Sequence, residues 1–258
     1  MRPLPEQRIL VTGSTDGLGR QVAAALAQRG ASVLIHGRDP AKVEDAVAQT
    51  GADSGLVADL ADLSQVRSLA SQAGHLDTLV NNAGVIVPER RETADGHELT
   101  FAVNYLSHFL LTTLLLPELR EPARIINIAS IGQAPLDFDD LMLTRGYDDY
   151  GAYAQSKLAQ VLFTVELAER LDGRDITVNA IHPATLMDTK MVRETFGRSR
   201  SSVEEGVEAT VRLVEDPELD GVSGRFFDGL HESAAHGQAY DPEARRRLWE
   251  LSERLTAP

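Results

Sequence analysis

Short β-branched runs alternate with longer segments of helical period along almost the whole chain, and this alternation restricts the fold more than any other feature. Periods of about two and about 3.6 residues distinguish the two kinds of segment. In the first half, the runs RILVT, ASVLIH, SGLVAD and LDTLVNNAG are separated by helical segments at Leu18–Arg29, Pro40–Gln49 and Leu63–Ala73. This rhythm predicts parallel strands joined by helical crossovers.

The second half continues the pattern up to the polar tail. Its segments are a helix near Glu98–Leu119, the strand ARIINIAS, a helix at Tyr150–Leu171, the strand DITVNAIHP, a helix at Val203–Glu215 and the strand VSGRFFDG. We therefore predict an α/β Rossmann fold: a doubly wound, seven-stranded parallel sheet in the order 3-2-1-4-5-6-7, with helices on both faces. No linker or repeat divides residues 1–258, so a single domain is expected, with a tail from about 231 that carries a helix at Pro242–Leu255.

Charge and residue usage exclude several classes of partner. With 25 Lys and Arg against 39 Asp and Glu, the net charge is −14, which repels nucleic-acid phosphates and anionic lipid. The chain has no cysteine, which suits a reducing cytosol, and its seven histidines show no metal-site spacing. The apolar stretch FAVNYLSHFLLTTLLLPEL is interrupted by polar residues and reads as a buried helix. We expect a cytoplasmic protein without a metal, nucleic-acid or membrane partner.

A glycine-rich turn, TGSTDGLGR, follows the first strand and contains Gly13, Gly17 and Gly19. Glycines allow a tight turn in which backbone N–H groups approach a pyrophosphate, whose charge is stabilised by the N-terminus of the next helix. The spacing differs from G-x-G-x-x-G, and an isolated copy of this turn could serve structure alone. Because a strand precedes it and a helix follows, we interpret the turn as a nucleotide site.

The second strand ends in LIHGRD, where NAD-selective sites usually carry an acidic residue. Here Gly37 leaves that position empty and Arg38 follows, and a guanidinium binds phosphate through paired hydrogen bonds. We expect NADP, with NAD as the second possibility, and Ser14 helping to hold the 2′-phosphate. The alternative is that Arg38 pairs with Asp39 or caps a turn. Asp16, whose charge opposes phosphate, is expected to cap the first helix.

Tyr153 and Lys157 lie four residues apart in AYAQSKLAQVLF and project from one face of a predicted helix. A nearby ammonium favours the phenolate and lowers a tyrosine pKa from about 10. The same spacing also arises by chance on exposed helices. Ser130 ends the strand IINIAS, at the sheet edge where a hydroxyl can bind a substrate oxygen.

The segments TGSTDGLG, NNAG and YAQSK, with Asn104 and Ser130, together resemble the short-chain dehydrogenase/reductase family, in the family's order over most of the chain. The acidic stretch LDFDDLMLTRGYDDYG resembles the retinol-dehydrogenase-like branch. The resemblance implies the fold predicted above, a nicotinamide cofactor and a catalytic set of Ser130, Tyr153, Lys157 and Asn104.

In this resemblance Tyr153 is the general acid in reduction and the general base in oxidation. Lys157 lowers the pKa of Tyr153 and holds the nicotinamide ribose. Ser130 orients the substrate oxygen, and Asn104 supports a water linked to Lys157. The alternatives are that Ser130 caps a turn and Asn104 is a satisfied core amide.

The resemblance also implies further contacts with the cofactor. Asp59 would receive the adenine amino group, with Leu60 packing beside it, unless Asp59 caps the following helix. The other positions that match cofactor-binding residues are Leu18, Asn82, Ala83, Gly84, Pro183 and Leu186.

The segment HPATLMDTKM departs from the family pattern. Pro183 is kept, but Ala184 replaces a glycine and Asp188 stands where a threonine near the phosphates is usual. A carboxylate beside a pyrophosphate is unfavourable. Either Asp188 turns outward or Thr189 takes the role through a shift of one residue.

The segment at about 185–202 is expected to cover the substrate. Its apolar residues suggest an apolar ligand, although they would equally pack against the sheet; they are Met187, Met191, Val192 and Phe196. Tyr147 and Tyr150 either line the substrate mouth or pack the acidic stretch down.

We expect an NADP(H)-dependent oxidoreductase for an apolar carbonyl or alcohol. The alternative is a sensor or scaffold that binds the cofactor without turnover. A nucleotide-sugar epimerase fits neither the glycine spacing nor the length of the C-terminal region. A homo-oligomer is left open, since the two long helices pair subunits in many family members but also cover the sheet.

Overall fold

One sheet of eight strands organises the structure, a computed structural model that describes residues 1–258 except for the side chain of Phe196. The strands are β1 (Arg8–Val11), β2 (Ser32–Gly37), β3 (Ser54–Val57), β4 (Leu76–Asn81), β5 (Leu119–Ile128), β6 (Ile176–His182), β7 (Phe226–Asp228) and β8 (His231–Ser233). Their order in the sheet is β3-β2-β1-β4-β5-β6-β7-β8, and every neighbouring pair is parallel except β7 and β8.

The predicted fold and strand order are confirmed for the first seven strands. The eighth strand was missed because His231–Ser233 is short, polar and exposed, so it carries no alternating apolar pattern. The helices are α1 (Gly17–Gln28), α2 (Pro40–Thr50), α3 (Leu63–Ala73), α4 (Leu99–Phe101), α5 (Ser107–Leu115), α6 (Asp149–Arg170), α7 (Lys190–Phe196), α8 (Val203–Glu215) and α9 (Pro242–Leu255).

Two hydrophobic cores lie on opposite faces of the sheet. Side chains of α1, α2 and α8 fill one core, and side chains of α3, α5, α6 and α9 fill the other. The central strand β4 is buried along its whole length, as expected for a parallel strand covered on both faces. This arrangement leaves the carboxyl ends of the strands as the open edge of the fold.

The long apolar helix is interrupted in its first half. Glu98 caps it by accepting from the N–H groups of Thr100 and Phe101, each at 2.7 Å, and a π-helical turn at Ala102–Leu106 joins α4 to α5. The 20-residue span Leu99–Glu118 has the length and composition to cross a membrane, but 78% of its most apolar window is buried inside the protein. It forms part of the core, in agreement with the sequence-based interpretation.

The C-terminal helix α9 covers the outer side of α5 and α6. Trp249 packs against Phe109 and Phe163 with ring centroids 5.0 and 6.0 Å apart, and Arg245 donates to Glu169 at 2.6 Å. α9 therefore covers apolar side chains of α5 and α6.

Candidate active site

The glycine-rich turn after β1 is fitted closely against the loop after β4. Gly13 has φ +62°, and a Cβ at this position would lie 2.8 Å from the Cα of Ala83, so only glycine fits. The amide of Asn82 donates to the carbonyl oxygens of Thr12 and Gly13 at 2.8 and 3.1 Å. A Cβ at Gly19 would collide with the same amide. The two predicted cofactor motifs thus form a single cradle.

His36, which the sequence analysis did not single out, fixes the other side of this turn. Its Nδ1 accepts from the N–H of Gly13 at 3.1 Å, so its Nε2 carries the proton and donates to the carbonyl of Ala58 at 3.1 Å. Burial lowers the pKa of His36 to about 4, against opposing effects of the bond to Ala58 and the charge of Asp59. A neutral imidazole therefore connects the ends of β1, β2 and β3.

Ser14 is not placed to hold a phosphate. Its hydroxyl donates to the carbonyl of Val11 at 2.7 Å and accepts from the N–H of His36 at 2.9 Å, and the side chain is fully buried. The expected role of Ser14 at the 2′-phosphate is not supported by these contacts. Asp16 instead caps α1, as predicted, by accepting from the N–H of Gly17 at 2.7 Å.

Thr15 lies at the position that Ser14 was expected to occupy. A Cβ at Gly37 would collide with the methyl group of Thr15, so an acidic side chain has no room there unless Thr15 moves. Asp39 caps α2 through the N–H groups of Ala41 and Lys42. Arg38 is exposed and, among the residues that the structure describes, forms no ion pair with Asp39.

The loop after β3 contains Asp59 and Leu60. Asp59 is half-buried and accepts from the N–H of Ala61 at 3.0 Å. The cap of α3 is Asp62, so the alternative role of Asp59 as that cap is wrong. The side chain of Leu60 points into the core, and the apolar surface at this edge is provided by Val57, which sequence reasoning missed.

Ser130 and Tyr153 meet at the carboxyl edge of the sheet. Ser130 follows β5, and its Oγ accepts from the N–H of Gly132 at 3.0 Å. Burial raises the pKa of Tyr153, a hydrogen bond to Ser130 opposes this, and Tyr150 adds a smaller increase. Two hydroxyl groups therefore face the same space, where they can bind one substrate oxygen.

Lys157 lies one helical turn after Tyr153 and is only 4% exposed. Its ammonium donates to the carbonyl of Ile128 at 2.7 Å and to Oε1 of Gln160 at 2.9 Å. Burial lowers its pKa to about 7, and its Nζ is 5.5 Å from the centre of the Tyr153 ring. The expected lowering of the Tyr153 pKa by Lys157 is not seen: burial raises that pKa, and Lys157 is not among the groups that shift it.

Asn104 is held in the π-helical turn by three hydrogen bonds. Its Oδ1 accepts from the N–H of Val85 at 2.7 Å, and its Nδ2 donates to the carbonyl of Val85 and to Oγ of Ser156, each at 3.0 Å. A Cβ at Gly84 would lie 3.4 Å from Oδ1 of Asn104 and 3.7 Å from Nζ of Lys157. Asn104 is thus a satisfied core amide beside Lys157, and its support of a water stays a prediction.

The two tyrosines of the acidic stretch have different positions. Tyr147 donates to the carbonyl of Val87 at 2.8 Å and packs the stretch against the loop after β4. The ring of Tyr150 is 48% exposed and lies 6.5 Å from the ring of Tyr153. Its Oη would be 2.7 Å from a Cβ at Gly132, and Ile131 beside it is 51% exposed. Tyr150 therefore lines the mouth of the site, whereas Tyr147 holds the loop.

The covering segment resolves the choice between Asp188 and Thr189. Asp188 turns outward and pairs with Arg193 at 2.6 Å. Thr189 caps α7 and lies beside the N-terminus of α1, since a Cβ at Gly17 would be 3.5 Å from its methyl group. The one-residue shift thus brings a threonine, and not a carboxylate, next to the glycine-rich turn.

The apolar residues of this segment only partly face the site. Met187 packs against α8, where a Cβ at Gly206 would collide with its sulfur atom and lie 3.5 Å from buried Pro183. Leu186 has φ +48° and is half-buried, as are Met191 and Val192. The side chain of Phe196 lies outside the described residues.

The chain is similar to known proteins over nearly all of its length. Residues 7–199 match the family model described as short chain dehydrogenase. Human retinol dehydrogenase 13 is 39% identical over 282 residues, which cover 98% of this chain and 85% of that protein.

Two solved structures show the same fold. A protein from Mycobacterium paratuberculosis superposes with a TM-score of 0.84 at 32% identity, covering 97% of this chain and 93% of the other. The Pseudomonas aeruginosa RhlG/NADP active-site complex superposes with a TM-score of 0.72 at 27% identity, covering 93% and 100%. The glycine cradle, the paired hydroxyls and the buried lysine therefore occur in a chain that belongs to the short-chain dehydrogenase family.

Proposed function

We propose that this protein transfers a hydride between NADP(H) and an apolar carbonyl or alcohol, with Tyr153 as the acid or base. The observation that carries the proposal is that Ser130, Tyr153 and the buried ammonium of Lys157 lie together at the carboxyl edge, with Nζ of Lys157 5.5 Å from the centre of the Tyr153 ring. A nicotinamide cofactor, when bound, supplies or accepts the hydride. The protein contributes alignment of the reactants and control of the proton.

The cradle has the shape that a dinucleotide requires. Gly13 lies close to Ala83, and Gly84 lies beside Lys157. Because neither glycine has a side chain, a dinucleotide can approach the backbone closely at both positions. Thr15 and exposed Arg38 lie at the empty position of Gly37, which suits a 2′-phosphate better than an acidic side chain would. The similarity to a protein solved with NADP supports this preference.

The choice of cofactor can be tested at Arg38. Replacing Arg38→Ala is expected to weaken NADPH binding at least about tenfold, as loss of a charge-assisted phosphate contact does, and to change NADH binding little. Lys42→Ala, which removes an exposed cation from the first turn of α2, serves as the control. Equal losses for both cofactors would show that Arg38 does not bind the 2′-phosphate.

The state of Tyr153 sets the direction of proton transfer. Because burial raises its pKa, the phenol keeps its proton at neutral pH and can donate it to a carbonyl oxygen that Ser130 orients. Alcohol oxidation needs the deprotonated phenol, so its rate should rise with pH toward the Tyr153 pKa, whereas carbonyl reduction should fall as pH passes through that pKa. Between about pH 6 and 10, which lies below the raised pKa, initial rates should therefore show oxidation rising with pH and reduction nearly constant.

An apolar substrate fits the mouth of the site. Ile131 and Tyr150 are exposed beside Ser130 and Tyr153, and the chain resembles a protein named for retinol, an apolar alcohol. The aromatic ring of Tyr150 offers a face against which an apolar chain or ring can pack.

The central test is Tyr153→Phe with a panel of aldehydes, ketones and their alcohols. We expect turnover to fall by about 10²- to 10⁴-fold, while cofactor binding, followed by NADPH fluorescence, stays near the wild-type value. Tyr147→Phe removes a phenol from the same region and should retain activity. Wild-type activity in Tyr153→Phe would refute the assignment, and tight cofactor binding without turnover of any substrate would favour the sensor or scaffold.

A further inference from the structure

Lys157 is the first member of a buried row of polar side chains that crosses from α6 to β1. Its ammonium donates to Oε1 of Gln160 at 2.9 Å, and the amide of Gln160 lies 3.1 Å from Nδ1 of His108 on α5. Nε2 of His108 lies 3.3 Å from Oγ1 of Thr12 at the end of β1. All four side chains are almost completely buried.

The ammonium sets the direction of every hydrogen bond in this row. Because it is a donor, the oxygen of the Gln160 amide must face it, and the NH₂ group must then face His108. Nδ1 of His108 therefore faces the Gln160 donor and Nε2 faces Oγ1 of Thr12, while the carbonyl of Asn104 also lies within hydrogen-bonding reach of the ring. Burial, with a smaller contribution from the charge of Lys157, lowers the pKa of His108 to about 3, which agrees with a neutral ring.

The far end of the row belongs to the cofactor cradle. Oγ1 of Thr12 accepts from the N–H groups of Asn82 and Ala83 at 2.9 and 3.0 Å. The Asn82 amide in turn holds the carbonyl groups of the glycine-rich turn. The row thus connects the lysine of the catalytic set to both walls of the cradle.

We propose that Gln160 and His108 are positioning residues, which orient the ammonium of Lys157 and couple it to the two turns that form the cradle. The catalytic part of this statement rests on the proposed function. Ile128 and Gln160 accept two of the three ammonium protons, so the third is left to point toward Tyr153 and the ligand side. A buried ammonium without the Gln160 acceptor would lose part of the compensation for its desolvation.

Few ionisable groups act on this lysine. Burial is the cause of its lowered pKa, and the ionisable side chains around it are Tyr153 on its own helix, His108 on α5 and His182 at the end of β6. His36 acts on His108 from β2. The Gln160 amide is the side-chain acceptor of the Lys157 ammonium among the described residues, and the effect of its removal on the Lys157 titration can be measured directly.

The experiment uses NMR titration of protein labelled with ¹³C at the lysine Cε atoms. The chain has three lysines, at 42, 157 and 190, and the Lys157 signal is identified by its loss in Lys157→Met. Gln160→Met preserves side-chain length but removes the acceptor, so the midpoint of the Lys157 titration should fall by about one pH unit or more. His108→Phe keeps the Gln160 acceptor but removes the ring nitrogen to which the Gln160 amide is bonded. This variant should lower the midpoint of the Lys157 titration by less.

The control is Gln155→Met, a buried glutamine on the same helix. Its amide donates to the carbonyl of Leu141 and accepts from the N–H of Asp137, so this variant should leave the Lys157 midpoint unchanged. An unchanged midpoint in Gln160→Met, or an equal shift in Gln155→Met, would overturn the proposal. If Gln160→Met does not fold, the proposal is tested by the ¹⁵N spectrum of His108 in the wild-type protein. A proton on Nε2 supports the row, and a proton on Nδ1 contradicts it, because Nδ1 must accept from the Gln160 amide.

Turnover provides a separate readout. If the chain is active, Gln160→Met should lower kcat about tenfold and shift the pH profile, with cofactor binding retained, whereas Gln155→Met should not shift that profile. Absence of turnover in the wild-type protein would refute the proposed function but would not affect the conclusion drawn from the Lys157 titration. Turnover with an unmoved Lys157 midpoint would remove only the positioning role.

Discussion

The sheet buries charge differently at the amino ends and at the carboxyl ends of its strands. At the amino ends, the carboxylate of Asp77 is fully buried and is bound by Arg2 at 3.0 Å, by Arg120, and by the backbone N–H of Arg8 at 2.7 Å. At the carboxyl ends, the buried ammonium of Lys157 has two acceptors in the described structure, a carbonyl and an amide, and both are neutral.

This difference indicates that the charge of Asp77 serves the structure and that the charge of Lys157 serves the reaction. Asp77 is neutralised by guanidinium groups and acts as a joint between the first residues of β1, β4 and β5. Among the described residues, Lys157 has two neutral hydrogen-bond acceptors and the Tyr153 ring 5.5 Å from its ammonium, and its pKa is lowered to about 7, so its charge responds to what binds beside it. An uncompensated buried charge lowers stability and is therefore expected where a reaction needs it.

The largest effect is expected from Lys157→Met. Loss of the ammonium should lower kcat/KM by about 10²- to 10⁴-fold, while the free energy of unfolding should change by less than about 2 kcal/mol, because removal of a buried charge offsets the loss of the donor to Ile128 and Gln160. Steady-state kinetics and urea denaturation on the same preparation measure both. A marked loss of stability would show that Lys157 serves structure, as Asp77 does.

The opposite result is expected from Asp77→Asn. It leaves two guanidinium groups without their carboxylate, and the free energy of unfolding should fall by about 3 kcal/mol, at the lower end for a broken buried pair because Arg2 and Arg120 are partly exposed. At 25 °C, kcat should be unchanged. A loss of activity greater than the loss of folded protein would contradict the separation between the two ends.

Acid should first reduce the stability that His36 contributes at the carboxyl ends of the strands. His36 has a pKa of about 4 in the folded protein against 6.5 in the unfolded chain, so unfolding takes up a proton between these values. Stability from neutral His36 is present above pH 6.5 and is lost as pH falls toward 4, by about 1–3 kcal/mol. Urea midpoints at pH 7 and pH 5 should differ less in His36→Gln than in the wild-type protein, and an identical difference would exclude His36 as the cause.

Salt should have the smallest effect. Raising ionic strength screens partly exposed ion pairs, so the wild-type urea midpoint should shift by less than the equivalent of about 1 kcal/mol, and this shift should be smaller in Asp77→Asn. The Lys157 titration should not move, because the ammonium is buried. A strong salt dependence of the Lys157 midpoint would show that solvent ions reach the carboxyl end.

The elements and their order were predictable because each leaves a periodic signal. Burial on both faces gives β4 a continuous apolar run, and amphipathic helices such as α3 and α8 carry their core positions at helical spacing. Because ligands bind at the carboxyl ends of parallel strands, Ser130 and Tyr153 were expected on the same side of the sheet. The influence of Ser130 on the pKa of Tyr153 agrees with that placement.

The details that were wrong or left open concern neighbouring side chains, either of which could face the ligand. Ser14 and Thr15 are adjacent hydroxyl residues, and only the fit of the turn against His36 and Gly37 decides which one is buried. Asp188 and Thr189 differ by one residue in the same manner. A sequence pattern shows which residue types are present, but not which of two neighbours faces the ligand.

The sequence by itself determined the α/β architecture, the glycine-rich turn and the Tyr153–Lys157 pair, because periodicity and spacing are local properties of the chain. Only the tertiary structure decided what surrounds them. The row from Lys157 through Gln160 and His108 to Thr12 joins residues from distant parts of the chain. Such contacts depend on how α5 and α6 pack over β1 and β4, and that packing leaves no local signal.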